Sequence, residues 1–265
     1  MEDSMSNPAT TQALMRVPSK SNRIGRFFGF LRSALKRELW VHVAQLPLGG
    51  LSMLVPKSAI EAQARRGAKR PLILVHGLGG HPGNFSALEA KLRLAGIGQI
   101  YRVDLRGAAT MKAGASKLHR IIEEILAVNG LAEDGSVDIV AHSMGGVMVR
   151  TAMLNPAVSK RVVRLITLGS PHHGSHLAWY LSHAVGPGAE LSPDDVLWSQ
   201  LAQQEPWLRD GKLTSFYTEQ DCLVRPAKSC LVEGADNRER SDETHFSFLW
   251  SQPVFTEIFD VLRKD

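Results

Sequence analysis

The apolar run Val137-Asp138-Ile139-Val140-Ala141-His142 stops at Ser143, and Met144-Gly145-Gly146 opens a helical pattern. A serine at such a boundary, with small residues around it, marks a tight strand-to-helix turn. The backbone there is strained, and the side chain is left exposed above the edge of a sheet. The usual form is Gly-x-Ser-x-Gly, and its first position here is Ala141. Alanine is the least bulky substitute for glycine, although it relieves strain less well. Ser143 is therefore a candidate nucleophile. A plain turn that ends a strand fits the same five residues, so the reading needs partners in the right chain order.

In this architecture the acid follows the serine and the histidine follows both. Of the ten histidines, nine lie at or before His183, which leaves His245. The acid should end a strand between Ser143 and His245. Leu213-Thr214-Ser215-Phe216-Tyr217-Thr218-Glu219-Gln220-Asp221 has that form, with β-branched and aromatic residues running into a charged turn. Asp221 is the first choice and Glu219 the second; Asp194, Asp195 and Asp236 end no such run.

Acyl chemistry at a serine also needs two backbone donors for the developing oxyanion. One is expected at Met144, directly after the serine. The other is expected at Leu78, in the glycine-rich loop that follows the apolar run Leu72-Ile73-Leu74-Val75. Glycine at position 77 lets the backbone come close to a substrate carbonyl. A dinucleotide fingerprint would need Gly-x-Gly-x-x-Gly, and Gly77-Leu78-Gly79-Gly80-His81-Pro82 lacks the last glycine.

Three segments in order, His76-Gly77-Leu78-Gly79-Gly80, Ala141-His142-Ser143-Met144-Gly145 and Leu168-Gly169-Ser170-Pro171-His172-His173-Gly174-Ser175, resemble the bacterial lipase and esterase branch of the α/β-hydrolase superfamily, the triacylglycerol lipases included. The resemblance spans about residues 70 to 250. Some members of that branch are similar in placing alanine ahead of the nucleophile. The resemblance implies hydrolysis of carboxylic esters without an organic cofactor, on a small-molecule or lipid ester. A thioesterase, an amidase or an acyltransferase would use the same residues. A non-catalytic binding protein on a hydrolase fold is the alternative from another class.

Strand-like runs near 72–75, 98–104, 137–142, 162–168, 213–218 and 228–233 alternate with helix-like patterns at about 83–95, 112–128, 144–154 and 253–263. In the second helix Ser116, Leu118, Ile121, Ile122, Ile125 and Leu126 fall three and four apart. This alternation predicts a mostly parallel sheet with helices on both faces over residues 67–265, and the resemblance implies that it is the α/β-hydrolase fold. An insertion at about 172–212, rich in tryptophan and leucine, is expected to form a helical cap. Trp179 and Trp198 could shape an apolar acyl pocket there or pack on the core.

Ahead of that domain, residues 1–20 read as a disordered tail and 21–66 as a basic amphipathic extension. Ile24, Phe27, Phe28, Leu31, Leu35 and Leu39 alternate there with Arg23, Arg26, Arg32, Lys36 and Arg37. Residues 23–40 can lie on an anionic membrane surface or pack on the catalytic domain. The start lacks the pattern of a secretory signal, so the expected location is the cytoplasm or the inner membrane face. Secretion, common in the resembled family, stays open. Much of the net charge of +5 comes from Arg16 to Arg37 and from Arg65 to Arg70, and no nucleic-acid motif accompanies it. His172, His173 and His176 lack further ligands at metal-site spacing, so no metal is assigned. Cys222 and Cys230 read as free thiols, and Asp104-Leu105-Arg106-Gly107 as a structural turn.

Overall fold

In the computed structural model, residues 70–182, 186–204, 207 and 211–264 are described. The tail, the basic extension and the membrane contact expected at 23–40 lie outside the described residues. Six strands form one sheet: β1 (Leu72–Val75), β2 (Ile100–Val103), β3 (Val137–His142), β4 (Val162–Leu168), β5 (Leu213–Tyr217) and β6 (Asp236–Glu239). Their order is β2-β1-β3-β4-β5-β6, and every neighbouring pair is parallel. Parallel neighbours require crossovers. These contain α1 (Ser86–Leu94), α2 (Met111–Val128), α3 (Met144–Ala152), α4 (Pro156–Arg161), α5 (His176–Ser182) and α6 (Leu197–Ala202), and α7 (Gln252–Arg263) closes the chain.

Side-chain alternation along the strands sorts the core into two layers. Leu72, Leu74, Val140 and Ile166 pack with residues of α1 and α7, whereas Ile73, Val75, Ile139 and Ala141 pack with α2 and α3. A strand covered on both faces reads as a nearly unbroken apolar run, and all six residues of β3 are buried. Each large aliphatic side chain buried this way contributes about 1.5–3 kcal/mol. Helix α2 buries Met111, Leu118, Ile122, Ile125 and Leu126, and Thr110 caps it by accepting the Ala113 amide at 3.0 Å. Ser116, expected on the apolar stripe, is exposed. Ser251 caps α7 in the same way through the Val254 amide, and Val254, Phe255 and Ile258 turn inward.

One expectation needs correction. The strand expected at 228–233 is not one: Ala227–Cys230 forms a 3-10 turn, and the sixth strand is Asp236–Glu239. Cys230 and Val232 do enter the core, but the Cys230 carbonyl accepts the Ser215 hydroxyl at 2.7 Å instead of joining a ladder. For the tryptophans, the sequence leaves pocket and core both open. The insertion between β4 and β5 is helical, with α5, a 3-10 turn at Gly186–Leu191 and α6. Yet Trp198 packs against the α2–α3 layer and donates its indole N–H to the Ser192 carbonyl at 2.6 Å. Trp207 packs on the same layer and donates to the Val162 carbonyl at 3.3 Å. An indole that finds a main-chain acceptor can be buried in a core without loss. No described helix is long and apolar enough to cross a membrane.

Candidate active site

With no loop residue between β3 and α3 except Ser143, the chain must change direction within that one residue. Ser143 adopts φ 54° and ψ −133°, and among the described residues it is the one non-glycine with positive φ. Crowding explains its neighbours. A Cβ on Gly145 would stand 2.6 Å from the His76 carbonyl oxygen, and one on Gly146 would stand 2.3 Å from the Ser170 hydroxyl. A Cβ on Gly77 would come within 2.8 Å of the Ser143 Cβ. Ala141 carries its methyl into the α2–α3 core layer, so alanine is accommodated at the first motif position.

The imidazole of His245 bridges Ser143 and Asp221. Its Nδ1 lies 2.7 Å from Asp221 Oδ2 and its Nε2 3.0 Å from Ser143 Oγ. With the proton on Nδ1, the ring donates to the carboxylate and accepts the serine hydroxyl. Asp221 and His245 are both buried. The other carboxylate oxygen of Asp221 accepts the amides of Leu223 at 2.8 Å and Val224 at 2.7 Å. The loops that carry acid and imidazole are tied together: Thr218 donates its hydroxyl to the Glu243 carbonyl, and Gln220 its amide to the Ser241 carbonyl. Glu219, the second choice for the acid, is exposed. Asp194 is exposed, Asp195 caps Leu197, and Asp236 pairs with Arg238.

The two expected oxyanion donors sit at the same place. Met144 is the first residue of α3, so its amide has no intrahelical acceptor. The Gly77 carbonyl accepts the Gly80 amide at 3.1 Å and the His76 Nδ1–H at 2.8 Å. His76 Nε2 in turn accepts the Leu105 amide at 3.1 Å, which fixes this tautomer. In a trans peptide the carbonyl and the following N–H point in opposite directions. Pinning the Gly77 carbonyl thus fixes the Leu78 N–H, and Leu78 and Met144 border one cavity with Ser143 and His245. Burial lowers the pKa of His76 and keeps it neutral, as this bonding requires.

That cavity measures about 210 Å³, and Pro171, Ala178, Leu191, Leu223, Val224 and Phe246 wall it. Ala178 and Leu191 come from the insertion. Trp179 and Trp198 are absent from the lining, so the pocket is shaped by smaller apolar side chains. Among the described residues, no group of three or more His, Cys, Asp or Glu is placed to hold a metal ion. His172 is buried against the Thr167 hydroxyl at 3.0 Å, and His173 bonds the Leu231 carbonyl at 2.9 Å. Arg106 chelates Asp104, and those hydrogen bonds hold the Asp104 carboxyl far below the usual carboxylate range. This is the structural turn expected there.

Sequence reasoning assigned no role to three residues that shape the site. His142 bonds the His245 carbonyl. Ser175 donates to the Leu223 carbonyl at 2.9 Å and accepts the Arg225 amide at 2.9 Å, which holds the loop that clamps Asp221. Gly169, at φ +58°, leaves room for the acid–imidazole pair: a Cβ there would stand 3.2 Å from Asp221 Oδ2. His142, Gly169 and Ser175 all lie within the motifs that carried the family resemblance, but main-chain hydrogen bonds leave no pattern in residue types.

Among solved structures, Aspergillus fumigatus lipase B superposes with a TM-score of 0.59 over 80% of this chain and 58% of its own, at 19% identity. Mature Bacillus licheniformis lipase BlEst2 gives 0.57 over 74% of this chain and 94% of its own, at 21% identity. The chain has the α/β-hydrolase fold. Residues 104–183 match the family described as a PGAP1-like alpha/beta domain. A triacylglycerol lipase of Burkholderia plantarii is 28% identical over 160 residues, which cover 56% of this chain and 42% of that protein. The match thus takes in less than half the length of that relative.

Proposed function

We propose that this α/β-hydrolase cleaves carboxylic esters of apolar acyl chains through an acyl-enzyme on Ser143. One observation carries the reading: Asp221, His245 and Ser143 form a continuous hydrogen-bonded path of 2.7 and 3.0 Å that ends on the strained residue inside the apolar-walled cavity. The sequence likeness to a triacylglycerol lipase supports it. A serine hydroxyl is a weak nucleophile at neutral pH without an adjacent base. His245 takes the Ser143 proton on Nε2 as Oγ bonds to the ester carbonyl carbon, and Asp221 stabilises the resulting imidazolium. The carbonyl oxygen gains negative charge, which the Leu78 and Met144 amides receive, each worth about 3 kcal/mol at comparable sites. Collapse breaks the bond to the alcohol, which leaves with the proton from His245. Water then attacks the acyl carbon and gives a proton to His245; the acyl–Oγ bond breaks, His245 returns the proton to Ser143 Oγ, and the carboxylic acid leaves.

In this reading the insertion is a cap whose Ala178 and Leu191 meet the acyl chain. The test is hydrolysis of p-nitrophenyl esters of rising acyl length by purified protein, with Ser143→Ala as control. Turnover should fall by about three or more orders of magnitude in the variant. Equal turnover in the two proteins would refute the assignment. Thioester and amide substrates in the same panel report which leaving group is preferred.

A further inference from the structure

His142 ends β3 one residue before Ser143 and is buried. Its Nε2–H donates to the main-chain carbonyl of His245 at 2.9 Å, a contact across 103 positions of sequence. The two imidazoles also touch, with centroids 4.8 Å apart and planes tilted by 56°. Phe246 completes the group, 4.9 Å from His245 in an edge-on contact and 5.8 Å from His142. The hydrogen bond therefore joins the strand end that delivers the serine to the loop that delivers the imidazole. Only two torsions separate the His245 backbone from its ring, so the placement of that backbone decides whether Nε2 reaches Oγ. Asp221 holds the ring at the opposite nitrogen.

We propose that His142 is a positioning residue: by fastening the His245 carbonyl to the end of β3, it sets the separation between His245 Nε2 and Ser143 Oγ. The inference rests on the role proposed above for His245. Electrostatics agree with it. Burial, and then the neighbouring His245, hold the His142 pKa down to about 3. His142 therefore donates its hydrogen bond as a neutral group and adds no second cation beside the imidazolium that forms on His245. A lysine or arginine donor at this position would oppose that charge.

The experiment compares full-length wild type with His142→Gln, His142→Asn and His142→Leu, each shown to be folded by circular dichroism. Glutamine offers an N–H at a reach close to that of Nε2, whereas the asparagine amide is one methylene short and leucine has no donor. Two readouts are taken: kcat and KM on a p-nitrophenyl ester, and the low-field proton resonance of the His245–Asp221 hydrogen bond. Because misplacing a reacting group by about 1 Å costs about 100-fold, the Asn and Leu variants should lose about 30- to 100-fold in kcat with KM within about threefold of wild type. Their low-field resonance should vanish, and His142→Gln should restore both readouts. Folded Asn and Leu variants that keep kcat and the resonance would overturn the proposal, as would a Gln variant that falls as far as they do. If leucine prevents folding, the Gln and Asn pair carries the comparison. If wild type cleaves no ester, the proposed function fails, while the resonance still decides whether His142 places the imidazole.

Discussion

Asp221 divides its two oxygens between two tasks, one clamped by the Leu223 and Val224 amides and the other facing His245. Asparagine preserves the first task, because its carbonyl oxygen still accepts both amides. Its NH2 group then faces Nδ1 and forces the wrong imidazole tautomer. Asp221→Asn is therefore expected to keep its melting temperature while kcat falls by about 10³- to 10⁴-fold, as steady-state kinetics beside a thermal melt would show; unchanged kcat would remove Asp221 from the mechanism. Gly145 makes the opposite prediction. Gly145→Ala sets a methyl 2.6 Å from the His76 carbonyl oxygen, an overpacking that should cost about 1–3 kcal/mol in urea unfolding. That Ser143, Asp221 and His245 come together was legible because chain order and elimination left few candidates. His76, His142 and Ser175 were not, since each acts on a main-chain carbonyl or amide that any residue type would present.

At the scale of elements, β6 shows where hydrophobic patterning fails. Asp236-Asn237-Arg238-Glu239 has no apolar residue, and it pairs with β5 at the sheet edge through its backbone. Its side chains settle outside the core, with Arg238 over the Phe216 ring at 5.6 Å. The apolar residues just before it mimic a strand but feed the core from a turn. Asn237 holds that turn: its side chain accepts the Val232 amide at 3.0 Å and donates to the Val232 carbonyl at 2.8 Å. Asn237→Ala should lower stability by about 1–2 kcal/mol in urea unfolding, with kcat on the ester panel retained because this turn enters β6 at its amino end, opposite the loop after Glu239 that carries His245. A loss of kcat at unchanged stability would show that β6 supports the site directly. Strands β1, β3 and β4 were legible for the converse reason: both of their faces are covered, so burial wrote itself into composition.

Across the whole molecule, the burial of neutral imidazoles makes stability depend on pH. His76, His142 and His172 all have pKa values lowered from 6.5, chiefly by burial, with His142 near 3. Below about pH 6.5 the unfolded chain binds protons that the native protein refuses, so stability falls as pH drops, by about 1.4 kcal/mol per pH unit for each imidazole still neutral in the native state. Above that pH the effect is absent. By pH 5 His142 alone, with its pKa near 3, costs about 2 kcal/mol, and His76 and His172 act in the same direction. Burial raises the pKa of Asp138, so its protonation offsets part of this loss as the pH falls toward the ordinary carboxylate range. Urea midpoints measured from pH 8 to pH 5 should stay level and then decline; a midpoint that rises on acidification would contradict the buried neutral state. The layered architecture itself was legible, because alternating apolar strands and amphipathic helices admit few packings. The insertion's contribution to the pocket was not, since tryptophan spacing cannot separate a wall from a core. The most direct test of the account is intact-protein mass spectrometry after exposure to a fluorophosphonate, with the label mapped by peptide sequencing. One phosphonyl group per chain on Ser143, formed rapidly in wild type and suppressed in His245→Ala, is the predicted result. A folded protein that takes up no label, or takes it elsewhere, would contradict it.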